Sequence, residues 1–171
     1  MRIVLFVLLI IIATIIGGLY GALHDQITYT VCDEFFTKMR FHEYGIKADL
    51  DNDVNNRWEA AIIGWKNTWH VGLGLGIVLA LAGLIHSDNK KMFTVTLKGF
   101  MLAMFTGFIF GMIAFLFTES SIDIATSQNV VDKASFNRVI RMNNYSYVGG
   151  IIGMFLALGW ITLNSRKNIQ K

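Results

Sequence analysis

Four long apolar stretches without a charged residue constrain the fold of this chain more than any other feature. They contain 21, 21, 20 and 24 residues and cover Ile3–Leu23, Asn67–Ser87, Gly99–Thr118 and Met142–Ser165. A helix needs roughly 20 residues to cross about 30 Å of hydrocarbon. Charged residues make up only 16% of the chain, whereas they make up about a quarter of a soluble domain. The sequence therefore predicts an all-α membrane protein, a single domain over residues 1–171 with four membrane-spanning helices and outer loops at 24–66 and 119–141.

The first stretch also has the general form of a secretory signal peptide, because Met1 and Arg2 precede an apolar run. The run is longer than the roughly 7 to 15 apolar residues of such a peptide. Cleavage after Ala22 would place the bulky Tyr20 where the processing enzyme requires a small residue. We therefore expect the first span to be retained as a membrane anchor.

The positions of lysine and arginine predict which side of the membrane the termini occupy. If the N-terminus is inside, the short inner segments hold seven basic residues and one acid, Asp88. The basic residues are Arg2, Lys90, Lys91, Lys98, Arg166, Lys167 and Lys171. Basic residues of short segments concentrate on the cytoplasmic side, so we expect both termini in the cytoplasm. The sequence lacks a basic face rich in aromatic residues, so it gives no indication of a nucleic acid partner.

Each apolar stretch also carries small residues spaced by four. They are Ala13, Gly17 and Gly21; Gly72, Gly76 and Ala80; Ala103, Gly107 and Gly111; and Gly149, Gly153 and Ala157. This spacing puts each set on one face of its helix, where neighbouring backbones can approach closely. We expect these faces to pack within the chain; the alternative is that they join a second copy or another membrane protein.

Ionisable side chains are absent from the middle of every predicted span and gather near the outer ends. Transporters and proton relays place ionisable groups near the membrane midplane, so a pore or pump is disfavoured. The outer groups form a candidate site for a divalent metal such as zinc, which accepts histidine nitrogen and carboxylate oxygen. The candidate ligands are His24, Asp25, Glu34, His70 and Glu119, with Asn143 nearby. Their spacing matches no diagnostic metal motif, and ordinary interfacial hydrogen bonding is the alternative for each.

The first outer loop is too long for a simple connection. Residues 27–31 alternate apolar with polar side chains, which predicts a short strand or extended segment. The aromatic residues of 35–41 and a turn at Gly45 follow. We expect this segment to form a lid over its own bundle; an exposed surface for a partner is the alternative.

Helical periodicity extends beyond two of the apolar stretches. Apolar residues recur at a helical period directly after residues 51–53, which predicts that the second span begins as a long helix well outside the membrane. A similar pattern predicts that the fourth helix begins near Asp132. Cys32 is the only cysteine, so no intrachain disulfide can form. A small buried side chain is its expected role; the alternative is a nucleophile paired with His24.

Two segments carry a family resemblance. Residues 21–31, continued by 34–38, read GALHDQITYTV and EFFTK, and residues 141–150 read RMNNYSYVGG. Both segments resemble an uncharacterised family of small bacterial four-span membrane proteins, in which a histidine often replaces Asn143 and a proline replaces Asp33. The resemblance implies a four-span bundle in a bacterial cytoplasmic membrane and draws attention to His24, Asp25 and Glu34. It implies no activity.

The sequence favours a non-enzymatic accessory or interaction component of the membrane over an enzyme. The alternative is an outward-facing metal-binding or metal-dependent site at the predicted cluster. A transporter with a path lined by backbone and hydroxyl groups is a weaker hypothesis.

Overall fold

The structure, a computed structural model, describes residues 1–49, 51–118 and 130–166. Within these ranges the chain is helical, without a strand. Four helices are long: α1 (Arg2–Val31), α4 (Asp53–Gly83), α5 (Asn89–Phe117) and α6 (Lys133–Arg166). Between α1 and α4 lie the single turns α2 (Asp33–Phe35) and α3 (Phe41–Glu43), which flank a π-helical turn at Phe36–Arg40. We call residues 33–43 the cap segment. The end of the bundle that this segment covers is called the cap end.

Three of the long helices are suited to a membrane. Helices α1, α5 and α6 are long and apolar enough to cross it, which suggests a membrane protein, as predicted. Helix α4 is similar in length, at 31 residues, but polar and charged residues occupy much of its first half. The predicted second span, 67–87, also extends beyond the end of the helix, because α4 ends at Gly83 and a turn follows.

The long helices form two tightly packed antiparallel pairs, α1 with α4 and α5 with α6. At one end of the first pair, the guanidinium of Arg2 donates hydrogen bonds to the carbonyls of Leu84, at 3.0 Å, and His86. At the cap end, the side-chain amide of Gln26 donates to the carbonyl of Arg57 at 2.8 Å. Helix α4 therefore lies beside nearly the whole length of α1.

Small residues make this close packing achievable. All twelve residues of the four predicted faces are buried. A Cβ added to Gly17 would lie 2.7 Å from the Cα of Gly72, and one added to Gly153 would lie 2.7 Å from the Cα of Ala103. Both distances are too short for a real side chain, so the backbones of each pair touch. The expectation that these faces pack within the chain is confirmed.

The predicted strand at 27–31 is wrong, because α1 continues to Val31. Thr28 and Tyr29 are adjacent and both buried. In a strand with one buried face, adjacent side chains point to opposite sides, whereas two adjacent residues of a helix can both be buried. The Tyr29 hydroxyl donates to the carboxylate of Asp53 at 2.8 Å, and its ring packs 5.5 Å from that of Phe36. These tertiary contacts outweigh a weak local alternation.

The cap segment packs against its own bundle, as expected for a lid. Phe35, Phe36 and Phe41 are buried in one apolar cluster with residues of α1, α4 and α6. Gly45 has a φ of +67° and makes the predicted turn.

The early starts of α4 and α6 are confirmed as well. Asn52 caps α4 by accepting a hydrogen bond from the Asn55 amide at 3.2 Å. Asp132 accepts one from the Ser135 amide at 3.0 Å at the start of α6.

Candidate functional site

A cavity of about 580 Å³ lies between the two helix pairs, beneath the cap segment. All four long helices line it, and Phe35, Met39 and Arg40 cover it from the cap. Its volume lies within the roughly 300–1,000 Å³ of sites for small molecules. The cavity exists because the helices are close within each pair and farther apart between the pairs.

The lining of this cavity changes from polar to apolar along the bundle axis. The polar side chains lie toward the cap end, and they are Tyr20, His24, Asp25, Arg40, Asn67, Thr68, Asn143, Asn144, Ser146 and Tyr147. Among the described residues, the deeper lining consists of glycine, alanine and apolar side chains, including Val71, Leu75, Met104, Ile151 and Met154. On α6, the polar part begins at Asn143 and the apolar part ends at Met154, 11 residues and about 16 Å farther along the helix. The cavity is therefore amphipathic.

Three polar side chains form a chain of contacts at the polar end. The Nδ1 of His24 lies 3.4 Å from the Oδ1 of Asp25, and the Nε2 of His24 lies 3.5 Å from the Oγ of Ser146. His24 and Asp25 are both more than 90% buried. The ring of Tyr20 lies 5.8 Å from that of His24, and the buried Tyr20 hydroxyl makes no hydrogen bond of normal geometry within the described residues.

Glu34 does not join this cluster. Its carboxylate accepts hydrogen bonds from the backbone amides of Val131, at 3.0 Å, and Asp132, at 2.8 Å, and it pairs with Lys38. Partial burial opposes ionisation of Glu34, but these hydrogen bonds outweigh it, so the pKa of the carboxyl lies below its ordinary value. Glu34 thus fastens the cap segment to the start of α6.

His70, another predicted metal ligand, does not join the cluster either. His70 is exposed, with its ring 5.8 Å from that of Trp69, and it does not line the cavity. Glu119 lies outside the described residues. Over the described ranges, no three His, Cys, Asp or Glu side chains are grouped so as to hold a metal. Of the four candidates that the structure describes, only His24 and Asp25 meet, and Asn143 lies at the same cavity.

Cys32 is buried in the apolar cluster under the cap. Burial raises the pKa of its thiol to about 11, and a neutral buried thiol is a poor nucleophile. Cys32 also does not line the cavity. These observations fit the small buried role expected for it.

Sequence reasoning missed Ser146, Asn67 and Thr68 as cavity residues. Ser146 lies within a segment that the resemblance quotes, but a single serine in an apolar helix gives no local signal of its own. Its position on the face that also carries Gly149 and Gly153, three and seven residues later, was the available clue. No protein-family model matches the chain, and no curated protein or solved structure matches it either.

Proposed function

We propose that this protein is a four-span membrane protein that binds a small amphipathic molecule with a single acyl chain in its central cavity. The observation that carries the proposal is the gradient of the cavity lining, from ten polar side chains near the cap, Arg40 among them, to an apolar floor. A molecule with a polar head and an apolar tail matches both ends. Burial of the apolar surface of its tail would favour binding by about 25 cal/mol of free energy per Å².

The pairing of α1 with α4 supports four spans. A helix that packs along a membrane-spanning neighbour over its whole length must enter the same membrane. Contacts between α1 and α4 extend from Gln26 and Arg57 to Arg2 and Leu84. The charged residues of α4 lie within 53–66, toward the cap end, and residues 67–83 contain no Asp, Glu, Lys or Arg. The distribution of basic residues favours the cytoplasm for both termini, so the cap faces outward.

The proposal is tested with a photoreactive monoacylglycerol that carries a diazirine in its acyl chain and an alkyne for detection. The protein is placed in lipid nanodiscs, because detergents are themselves single-chain amphiphiles and would compete. Illumination should attach the probe to peptides that line the cavity, those of α6 around Ile151 and Met154 among them. Labelling confined to lipid-facing residues such as Phe155, which is 64% exposed, would contradict the proposal.

Two glycines of α6 provide a matched pair of variants. A Cβ at Gly150 or at Gly159 would have no atom within 4 Å, but only Gly150 lines the cavity. Gly150→Phe should place a ring in the path of the acyl chain between Ser146 and Met154 and reduce labelling of the cavity peptides at least tenfold. Gly159→Phe adds the same bulk on the exposed side of the same helix and should leave labelling unchanged.

An accessory role remains a second candidate because α4 exposes an apolar row near the cap end. Val54, Trp58 and Ile62 are 65%, 67% and 43% exposed. Tryptophan often lies at the membrane interface, and Trp65 is near the outer end of the predicted second span. Val54 and Trp58 lie 11 and 7 residues before Trp65, which places them about 10 to 16 Å farther toward the cap end. A photocrosslinking amino acid at Trp58 tests this role: capture of one discrete membrane protein in native membranes supports it, and crosslinks to lipid alone oppose it.

A further inference from the structure

We propose that Ser146, His24 and Asp25 form a serine hydrolase site that cleaves single-chain acyl esters bound in the cavity. This inference rests on the proposed function, because the ester must first enter the cavity. Ser146 is the nucleophile, His24 is the general base, and Asp25 is a positioning residue that orients the His24 ring.

The order of contacts is the one that such a site requires. Asp25 approaches the Nδ1 of His24 at 3.4 Å, and Ser146 approaches the Nε2 at 3.5 Å. With a proton on Nδ1 directed at the carboxylate, the Nε2 lone pair is free to accept the proton of the Ser146 hydroxyl. Both distances are long for hydrogen bonds, as is common in catalytic sites before the substrate binds.

The hydroxyl of Ser146 also differs from several threonine hydroxyls of the bundle. Those of Thr68 and Thr106 donate to the carbonyl four residues earlier, at 2.7 Å and 2.8 Å, which is the ordinary arrangement of a hydroxyl in a helix. Ser146 instead faces His24 on another helix. Gly111 leaves room for it, because a Cβ at Gly111 would overlap the Ser146 hydroxyl.

The cavity defines the substrate class. Ser146 lies between the polar residues Asn143 and Asn144 and the apolar residues Gly150 and Met154 along α6. An ester carbonyl at Ser146 would therefore have its alcohol portion toward the cap and its acyl chain toward the apolar floor. The buried Tyr20 hydroxyl lies beside Ser146, where it could donate to the negative charge that develops on the carbonyl oxygen.

The reaction balances with water as the only co-reactant. The Ser146 oxygen forms a bond to the carbonyl carbon while its proton passes to His24 Nε2. The bond from that carbon to the alcohol oxygen then breaks, and His24 returns the proton to the departing alcohol. Water attacks the acyl-serine by the same route, which releases the carboxylic acid and restores Ser146.

The test uses an alkyl fluorophosphonate, which attaches to an activated serine with loss of fluoride. The wild-type protein in nanodiscs should be labelled at Ser146, located by mass spectrometry of the labelled peptide, and it should release fatty acid from a monoacylglycerol. Ser146→Ala should abolish both signals. His24→Asn should slow labelling by about a hundredfold or more, the scale of general-base catalysis. Ser165→Ala, on the same helix, is the matched control and should change neither.

Comparison of fluorophosphonate labelling with photolabelling by the monoacylglycerol tests two further points. It tests whether Asp25 acts in catalysis, and it distinguishes failure of the hydrolase from failure of the proposed function. Asp25→Asn should slow fluorophosphonate labelling at least tenfold more than it lowers photolabelling of the cavity; an equal fall in both signals would make Asp25 a structural residue only. Cavity photolabelling without any fluorophosphonate adduct on Ser146 would overturn the hydrolase and leave the proposed function standing. Loss of cavity photolabelling in the wild type would overturn the proposed function itself. Location of the adduct in the wild type keeps the test decisive even if Ser146→Ala fails to fold.

Discussion

His24 and Ser146 lie 122 residues apart in the chain, yet the Nε2 of one is 3.5 Å from the Oγ of the other. His24 is on α1 and Ser146 is on α6, so this contact connects the two helix pairs across the polar end of the cavity. Polar contacts between helices in a membrane contribute about 0.6 kcal/mol on average. The contact alone would therefore hold the pairs together only weakly, and the apolar packing beneath the cap contributes most at this end.

Close packing of α1 on α4 predicts opposite effects for two neighbouring glycines. A Cβ at Gly72 would lie 2.9 Å from the Cα of Gly17, whereas a Cβ at Gly74 would have no atom within 4 Å. Gly72→Leu should lower the free energy of unfolding by about 3 kcal/mol, at the upper end of overpacking effects. Gly74→Leu should change it by no more than about 1 kcal/mol, in the stabilising direction. Thermal unfolding in nanodiscs measures both, and equal destabilisation would contradict the helix pairing.

The attachment of the cap to α6 predicts an acid-sensitive contribution from Glu34. Its pKa is lower in the folded protein than the ordinary value near 4.3. The ionised carboxylate therefore stabilises the fold fully above that value, and this stability is lost as the pH falls through the lower folded pKa. At pH 7, Glu34→Gln should cost about 1.5 kcal/mol, the lower end of the range for hydrogen bonds to a charged group. The difference from wild type should shrink below pH 4.

Glu43 provides the control for that measurement. Its ion pair with Arg40 joins residues three apart, and the Glu43 side chain is 42% exposed. Pairs of this kind contribute little, so Glu43→Gln should be close to neutral at every pH. Equal effects of the two substitutions on thermal unfolding would show that Glu34 does not fasten the cap.

Burial of Cys32 predicts slow reaction with thiol reagents. Burial raises the pKa of its thiol from an ordinary 9.0 to about 11. The thiolate fraction at pH 7.5 is then about a hundredfold lower than for an ordinary thiol. A cysteine at the exposed position Ser87, in a Cys32→Ala background, is the reference. Reaction of native Cys32 with a maleimide at a rate similar to Ser87→Cys would contradict its burial.

The proposed topology predicts that the two connections flanking α4 lie on opposite sides of the membrane. Asp51 and Ser87 are both exposed. In a Cys32→Ala background, an impermeant maleimide should label Asp51→Cys on intact cells and Ser87→Cys only after the membrane is opened. The reverse pattern would place the cap in the cytoplasm. Labelling of both cysteines on intact cells would show that α4 does not cross the membrane.

Features with a local period were predictable from the sequence. The small residues of the helix faces repeat every four residues, and a helix converts that repeat directly into one buried face. The early starts of α4 and α6 were readable for the same reason, since Asn52 and Asp132 precede helical periodicity and accept hydrogen bonds from backbone amides of the first turn.

Features that depend on contacts between distant segments were not predictable. Nothing near Glu34 indicates that its carboxylate binds the amides of Val131 and Asp132, 97 and 98 residues away. The predicted metal cluster assumed that side chains at a similar depth also face one another. The direction in which each side chain points depends on how the helices rotate, and His70 points away from the cavity that His24 lines.

The most direct test of the central claim is native mass spectrometry of the protein released from nanodiscs that contain a monoacylglycerol among their lipids. We expect the wild type and Gly159→Phe to retain one monoacylglycerol or its fatty acid product under activation that strips the surrounding lipid. Gly150→Phe should lose this species. Retention by all three proteins alike, or by none of them, would contradict a cavity that binds a single-chain amphiphile.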